Sequence, residues 1–255
     1  MPHRPKGSGD TDSLVAGRRS VIELLKSEQP IVRVLVAKES AASAPLTEVR
    51  KRAEAASVPL RVVPRSEVDQ LAEGLNHQGV VAVVGRYRYT PLESLLAVDR
   101  PLLLFLDGIT DPHNLGSLLR SADGAGFHGI VVPANRSAGV NATVRKVAAG
   151  AAEVVPVARV GSLGVALEQA KQAGFWVVGL DEAAAEDLWA SELLEPPLAL
   201  VLGAEGRGIS RGVRDRCDGL VKIPSTGRLA SLNVGVAGAL AMFELARRRS
   251  ASATL

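Results

Sequence analysis

Cysteine is nearly absent from this chain of 255 residues: Cys217 is the single one. An internal disulfide is therefore excluded, as is a metal site built on several thiolates, and Cys217 reads as a small buried hydrophobe. The four histidines show no metal-ligand spacing, so no metal is implied. Aromatics make up only 3% of the residues, too few for base stacking to dominate any affinity for nucleic acid. No apolar run reaches the ~18 to 20 residues of a membrane span, and no membrane partner is expected. Residues 1–12 hold Pro2, Pro5, Gly7 and Gly9 but no apolar segment, so they read as a flexible tail and not a signal peptide, which points to a cytoplasmic protein. No Gly-x-Ser-x-Gly elbow occurs, and Gly203-Ala204-Glu205-Gly206-Arg207-Gly208 lacks the Walker lysine. Hydrolase and nucleoside-triphosphate readings therefore have no support.

What is present is an ordinary globular composition, 47% hydrophobic, long enough for one large or two modest domains. The net charge of +3 is unevenly spread. Residues 1–98 carry 14 Lys and Arg against 11 Asp and Glu, whereas residues 99–255 carry 16 against 16. A weak basic excess fits a solvated face or a nucleic-acid partner, and the interleaved Arg86-Tyr87-Arg88-Tyr89 adds to the second reading.

The pattern divides the chain into the tail, a small α/β domain over 13–90, a linker over 91–100 and a larger domain over 101–255. In the small domain, strands at 31–37, 60–63 and 80–84 alternate with helical stretches at 17–26, 46–56 and 66–71. Ser66 and Asp69 fit a capping-box variant, and Glu48 and Arg52 form a favourable helix pair. His77-Gln78-Gly79 reads as a turn, or as a segment reaching a ligand. In the larger domain, apolar strands at 102–106, 130–132, 154–157, 176–180, 198–202 and 220–223 are separated by helices. Such runs argue for a mostly parallel sheet covered on both faces, with ligands at the carboxyl ends of its strands.

Three loops leave strands of this set: 107–114, 203–208 and 223–234. The last enters a helix whose apolar positions Val236, Leu240 and Phe243 repeat at helical spacing, so amides near Asn233 are left without intrahelical partners and could hold a ligand. In the helix after Asn114, at about 100° per residue, Leu115, Leu118, Leu119 and Ala122 form one stripe and Arg120 lies opposite it. Gly116, Ser117, Asp123 and Gly124 surround Arg120 with small side chains that leave room for a bulky partner. Arg120 is either a functional cation or a surface residue paired with Asp123, and Asn114 is either a site residue or a helix cap.

Together, Asp107 with Asp111-Pro112-His113-Asn114-Leu115-Gly116 and Leu119-Arg120-Ser121-Ala122, then Leu202 to Gly208, then Ile223-Pro224 with Ser231-Leu232-Asn233-Val234, resemble the three ordered motifs of SPOUT-class RNA ribose 2′-O-methyltransferases of the SpoU/TrmH type. The likeness extends to Asn135-Arg136-Ser137-Ala138, Asn141-Ala142-Thr143, Lys146-Val147, Gly150-Ala151-Ala152-Glu153 and His77-Gln78-Gly79, and so to nearly everything after the tail. The subgroup it resembles methylates guanosine in large-subunit ribosomal RNA.

This resemblance implies an amino-terminal RNA-binding domain, a catalytic α/β domain with a deep trefoil knot, and a homodimer. It also implies S-adenosylmethionine as cofactor, held by Gly203, Gly208, Ile223 and Leu232. Arg120 would activate the ribose hydroxyl, assisted by Asn114, Glu205, Ser231 and Asn233. Connection rules alone favour an open Rossmann-like sheet without a knot. Gly235 departs from the Ser common in relatives. An arginine is effectively always protonated, so electrostatic stabilisation of an alkoxide competes with a literal base role. The rival readings are a methyltransferase acting on transfer RNA or on an adenosine, and, more distantly, a silent RNA-binding protein.

Overall fold

The computed structural model describes residues 13–40, 43–72, 74–227 and 232–252, which form two compact units, Met1–Arg88 and Tyr89–Leu255. The tail at 1–12 lies outside the described residues.

The first unit contains β1 (Ser13–Ala16), α1 (Arg18–Lys26), β2 (Ile31–Ala37), α2 (Ala44–Ala55), β3 (Leu60–Val63), α3 (Arg65–Ala72) and β4 (Val80–Val84). Its sheet runs β1-β4-β2-β3, with β4 antiparallel to both of its neighbours and β2 parallel to β3. Strand alternation sorts the core: Val34, Val36, Val80, Ala82 and Val84 pack with α1 and α2, while Leu35, Ala37 and Val81 pack with Val68 and Ala72 of α3. Glu48 and Arg52 form the expected pair at 2.6 Å. The capping box is not formed among the described residues. Asp69 accepts instead from His77 Nε2 at 2.7 Å, and buried His77 takes the Gly79 N–H on Nδ1. Gln78 bonds Arg18 through its carbonyl and its side chain. His77 and Gln78 therefore build the turn.

The second unit contains α4 (Leu92–Leu96), β5 (Leu102–Asp107), α5 (Pro112–Gly124), β6 (Gly129–Pro133), α6 (Ala142–Ala148), β7 (Val157–Val160), α7 (Leu163–Gln172), β8 (Trp176–Leu180), β9 (Glu186–Asp187), β10 (Leu198–Gly203), α8 (Arg211–Arg214), β11 (Gly219–Lys222) and α9 (Val234–Ser252). All seven strands are parallel, in the order β7-β6-β5-β10-β8-β11-β9. Central β5 and β10 are apolar almost throughout because both faces are covered. One face packs α4 and α7 through Leu95, Leu103, Phe105, Leu167 and Val201. Cys217 packs against this cluster, and burial pushes its thiol up to about 11.

Three expectations need correction. The segment 91–100 is not a bare linker, because Leu92 and Leu95 of α4 are buried in the core of the second unit. The strand expected at 154–157 is β7, three residues later: residues 151–153 make a 3₁₀ turn, and pairing with β6 runs from Val157 to Val160. On α9, Val236, Leu240 and Phe243 are 50%, 42% and 51% exposed, while Ala241, Met242 and Leu245 are buried. The cause is Gly238, where an added Cβ would lie 2.4 Å from Leu118 and 2.7 Å from Leu202, so the small-residue face sits closest to the sheet and to α5.

Candidate active site

The loop from β5 enters α5 through Asp111, whose carboxylate accepts the His113 N–H at 2.9 Å and is held below its ordinary value chiefly by that bond. Asp111, followed by Pro112 at the first helical position, is therefore the N-cap. Asn114 is not the cap. One position beyond His113, its side chain is free for another use, and Nδ2 donates to Glu205 Oε1 at 3.2 Å.

Glu205 sits on the loop that follows β10. Ala204 and Gly208 bridge across this loop, and Gly206 and Gly208 have φ of +75° and +64°. A Cβ on Gly203 would lie 2.0 Å from the Gly208 carbonyl carbon and 2.2 Å from Ile209 N. Gly203 is required by the loop's contact with itself before any ligand is considered.

The third loop delivers Asn233. Its Oδ1 accepts from Gly235 N at 2.9 Å and Val236 N at 3.3 Å, which makes it the cap of α9. Its Nδ2 donates to Asn114 Oδ1 at 3.0 Å and to Glu205 Oε1 at 2.5 Å, and the Val234 N–H reaches the same oxygen at 3.3 Å. The amides expected to be open to a ligand are thus occupied by Glu205 and Asn233. Glu205 Oε1 collects three donors, while Oε2 has no hydrogen bond among the described residues. Ser231 lies outside the described residues.

Arg120 is exposed and makes no hydrogen bond or ion pair among the described residues, with Asp123 or with the Asn114–Glu205–Asn233 cluster. Its small neighbours have a packing purpose. An added Cβ on Gly116 would lie 2.6 Å from Val147 of α6, and one on Gly124 3.2 Å from Phe243 of α9. They admit helices, not a ligand.

Gly203, Gly208, Ile223 and Leu232, all expected to bind the cofactor, line one cavity of about 340 Å³ together with Glu205. That size suits a small organic ligand. Leu180, Leu202, Val234 and Ala237 add apolar wall, and Ser225 and the 203–208 backbone add polar groups. Sequence reasoning missed Asp181 and Arg214 on the same wall. Buried Asp181 accepts from Arg214 and, at 2.9 Å, from Ala183 N. Its position directly after β8 was the available signal, by the same rule that singled out the other loops.

The family model for the SpoU rRNA Methylase family matches residues 101–243, and that for RNA 2′-O ribose methyltransferase substrate binding matches residues 14–90. A putative TrmH family tRNA/rRNA methyltransferase, YacO of Bacillus subtilis, is 42% identical over 92% of this chain and 96% of its own. The 23S rRNA (guanosine-2′-O-)-methyltransferase RlmB of Vibrio parahaemolyticus is 46% identical over 76% of this chain and 80% of its own. Among solved structures, the SpoU methyltransferase AviRb of Streptomyces viridochromogenes in complex with AdoMet superposes with a TM-score of 0.78 at 27% identity, covering 93% of this chain and 90% of that one. With the second and third motif loops lining one cavity, the first bonded to them through Asn114, and matches spanning both units, the chain belongs to the SpoU rRNA methylase family.

Proposed function

We propose that this protein methylates the 2′-oxygen of a ribose, that of a guanosine, in large-subunit ribosomal RNA, using S-adenosylmethionine. The observation that carries the reading is the double position of Glu205. It lines the cavity formed by Gly203, Gly208, Ile223 and Leu232, and it is bonded to Asn114 and Asn233 from the other two loops. The RlmB relative supports guanosine in ribosomal RNA, and the AdoMet complex of AviRb supports the cofactor.

The cavity fits such a molecule: apolar Leu180, Leu202, Ile223 and Leu232 suit an adenosine, and the glycine loop brings backbone polar groups close. When bound, the sulfonium supplies an activated methyl group. The chain's own task is then to orient the hydroxyl and stabilise its charge. Asn114 and Asn233 fix Glu205 through Oε1, which leaves Oε2 to accept the hydroxyl proton. Arg120, which has no hydrogen bond or ion pair among the described residues, offers its guanidinium to stabilise the oxygen as it becomes an alkoxide. The motif that Ser231 belongs to gives it a part in the same reaction.

The protein acts as a homodimer, for which the exposed apolar stripe Val236, Leu240 and Phe243 supplies an interface. Arg120 lies beside this stripe, since Gly124, four residues on, abuts Phe243. The unit 89–255 carries the reaction and 13–88 contributes RNA contacts, in line with the substrate-binding match. The carboxyl-terminal segment is threaded as a trefoil knot, a reading supported by β10 lying between β5 and β8 and by the likeness to AviRb. No described helix is long and apolar enough to cross a membrane; a ribosomal RNA substrate supports a cytoplasmic location.

Incubation with radiolabelled S-adenosylmethionine and ribosomal RNA from a strain lacking the protein tests this. One new 2′-O-methylguanosine in large-subunit RNA is expected. Label confined to transfer RNA, which the YacO description also allows, or to an adenosine would overturn the substrate. Absence of transfer to any RNA would overturn the reaction.

A further inference from the structure

The cofactor cavity accounts for only one side of the Gly203–Gly208 loop. Ala204, Arg207 and Gly208 also line a second, larger cavity of about 710 Å³, whose other walls come from the carboxyl ends of β5 and β6 and from the first turn of α7. In the sheet, β5 lies between β6 and β10, and the chain leaves it first towards β6 and β7 and later returns on the far side as β10. The second cavity is therefore the crevice at a topological switch point, where open parallel sheets bind ligands.

Its charge is one-sided. The charged lining residues are Arg136, Arg207 and Arg216 against Asp107. Asp107 is engaged through Oδ2, which accepts the Ser210 N–H at 2.7 Å, and Arg216 lies 3.1 Å from Glu168. Arg136 and Arg207 are exposed, with no hydrogen bond or ion pair among the described residues. The ten-residue α7 opens on this cavity with Ser162, Leu163 and Gly164, and its amino-terminal end adds positive potential.

Arg136 is also held in an uncommon conformation, φ +56°. The segment around it is pinned: Ala134 N donates to Val160 O at 2.7 Å and Ala138 N to Ile109 O at 2.7 Å. A left-handed position that asparagine or glycine would occupy with less strain instead carries a long cation into the cavity.

We propose that this cavity holds backbone phosphates of the substrate RNA, with Arg136 and Arg207 as the phosphate contacts. The proposal deepens the methyltransferase reading and rests on it for the identity of the polyanion. It assigns the RNA strand to one side of the 203–208 loop and the cofactor to the other.

The test uses the full chain and a large-subunit ribosomal RNA fragment that the parent binds. Arg136→Asn suits the left-handed backbone, so the melting temperature and S-adenosylmethionine affinity should match the parent. RNA affinity should fall by about tenfold, and the slope of log affinity against log salt should shrink by roughly 0.7 to 0.9, the loss of one phosphate contact. KM for RNA should rise with kcat nearly unchanged, and Arg136→Lys should recover the slope. Parental RNA affinity and slope in Arg136→Asn would overturn the proposal, as would a fall in kcat at parental KM. Binding of millimolar inorganic phosphate that the substitution abolishes, with RNA affinity unaltered, would make this a small-anion site and also overturn it. If the parent transferred no methyl group to RNA, the reaction would fall, while the binding and salt comparison would still decide the cavity.

Discussion

Asn114 and Glu205, 91 residues apart in the chain, are joined by a hydrogen bond from Nδ2 to Oε1 of 3.2 Å, and Asn233 closes the triangle on both of them. One asparagine thus serves two purposes, capping α9 through Oδ1 and fixing the cluster through Nδ2. The two can be separated. Asn233→Ser keeps a cap acceptor but loses the amide, so stability should stay near the parent value while methyl transfer falls at least tenfold. Asn233→Ala should lose the cap as well, at a cost of about 1 kcal/mol. Equal melting temperatures for parent and alanine variant would show that the cap contributes nothing.

Arg120 is the second test. Exposed and without a hydrogen bond or ion pair among the described residues, it holds none of them in place, so Arg120→Ala and Arg120→Lys should keep their melting temperature and S-adenosylmethionine affinity. Methyl transfer should fall by roughly a hundredfold in both, since lysine keeps the charge but not the planar fork. Near-normal single-turnover methylation by the alanine variant would remove Arg120 from the site.

The position of α4 sets where the chain can be cut. A fragment 89–255 keeps Leu92 and Leu95 in the core and should fold and bind S-adenosylmethionine by calorimetry. A fragment 99–255 lacks both leucines and should lose about 4 kcal/mol or more, lowering its melting temperature by roughly 10 °C. Equal stability of the two fragments would contradict the packing.

A charge introduced on the exposed stripe addresses assembly. Leu240→Asp should sediment as a monomer where the parent is a dimer, with the fold intact by circular dichroism, because the side chain already faces outward. A parent that sediments as a monomer would sink the dimer.

Glu244 gives a pH signature. Hydrogen bonds from Arg247 and then Arg248 lower its carboxyl from the ordinary 4.5 to about 2. Because the folded value is depressed, the stabilisation is present above pH 4.5 and is lost as pH falls towards about 2. Glu244→Gln should flatten this part of the stability curve in urea titrations between pH 5 and 3. An unchanged slope would mean the arginines do not act on Glu244 in solution.

Much of this was legible in the residues. Continuous apolar runs such as 102–106 and 198–202 identify buried parallel strands, and the wheel around Leu115, Leu118 and Leu119 correctly turns Arg120 outward. Reading failed where a small residue outranked a large one. On α9, size drew attention to Val236, Leu240 and Phe243, yet Gly238 sets the buried face by permitting contact with Leu118 and Leu202. The glycines beside Arg120 misled in the same way. Asp111 before Pro112 carries the cap signal, for which Asn114 is only one of the sequence's candidates, and β7 begins after Pro156. The triangle itself is non-local, and no spacing rule announces that positions 114, 205 and 233 share an oxygen.

That triangle also dates the site within the life of the chain. Its members are made far apart in time, and β10 must settle between β5 and β8, both completed earlier, before Glu205 can meet Asn114. Contacts of such long sequence separation form slowly, because ordering the intervening chain comes first. A nascent chain on the ribosome therefore possesses its first unit, and most of its sheet, before it possesses any completed cluster. Until Asn233 has been synthesised and α9 has folded behind it, the protein can contain ordered domains and still have no assembled site.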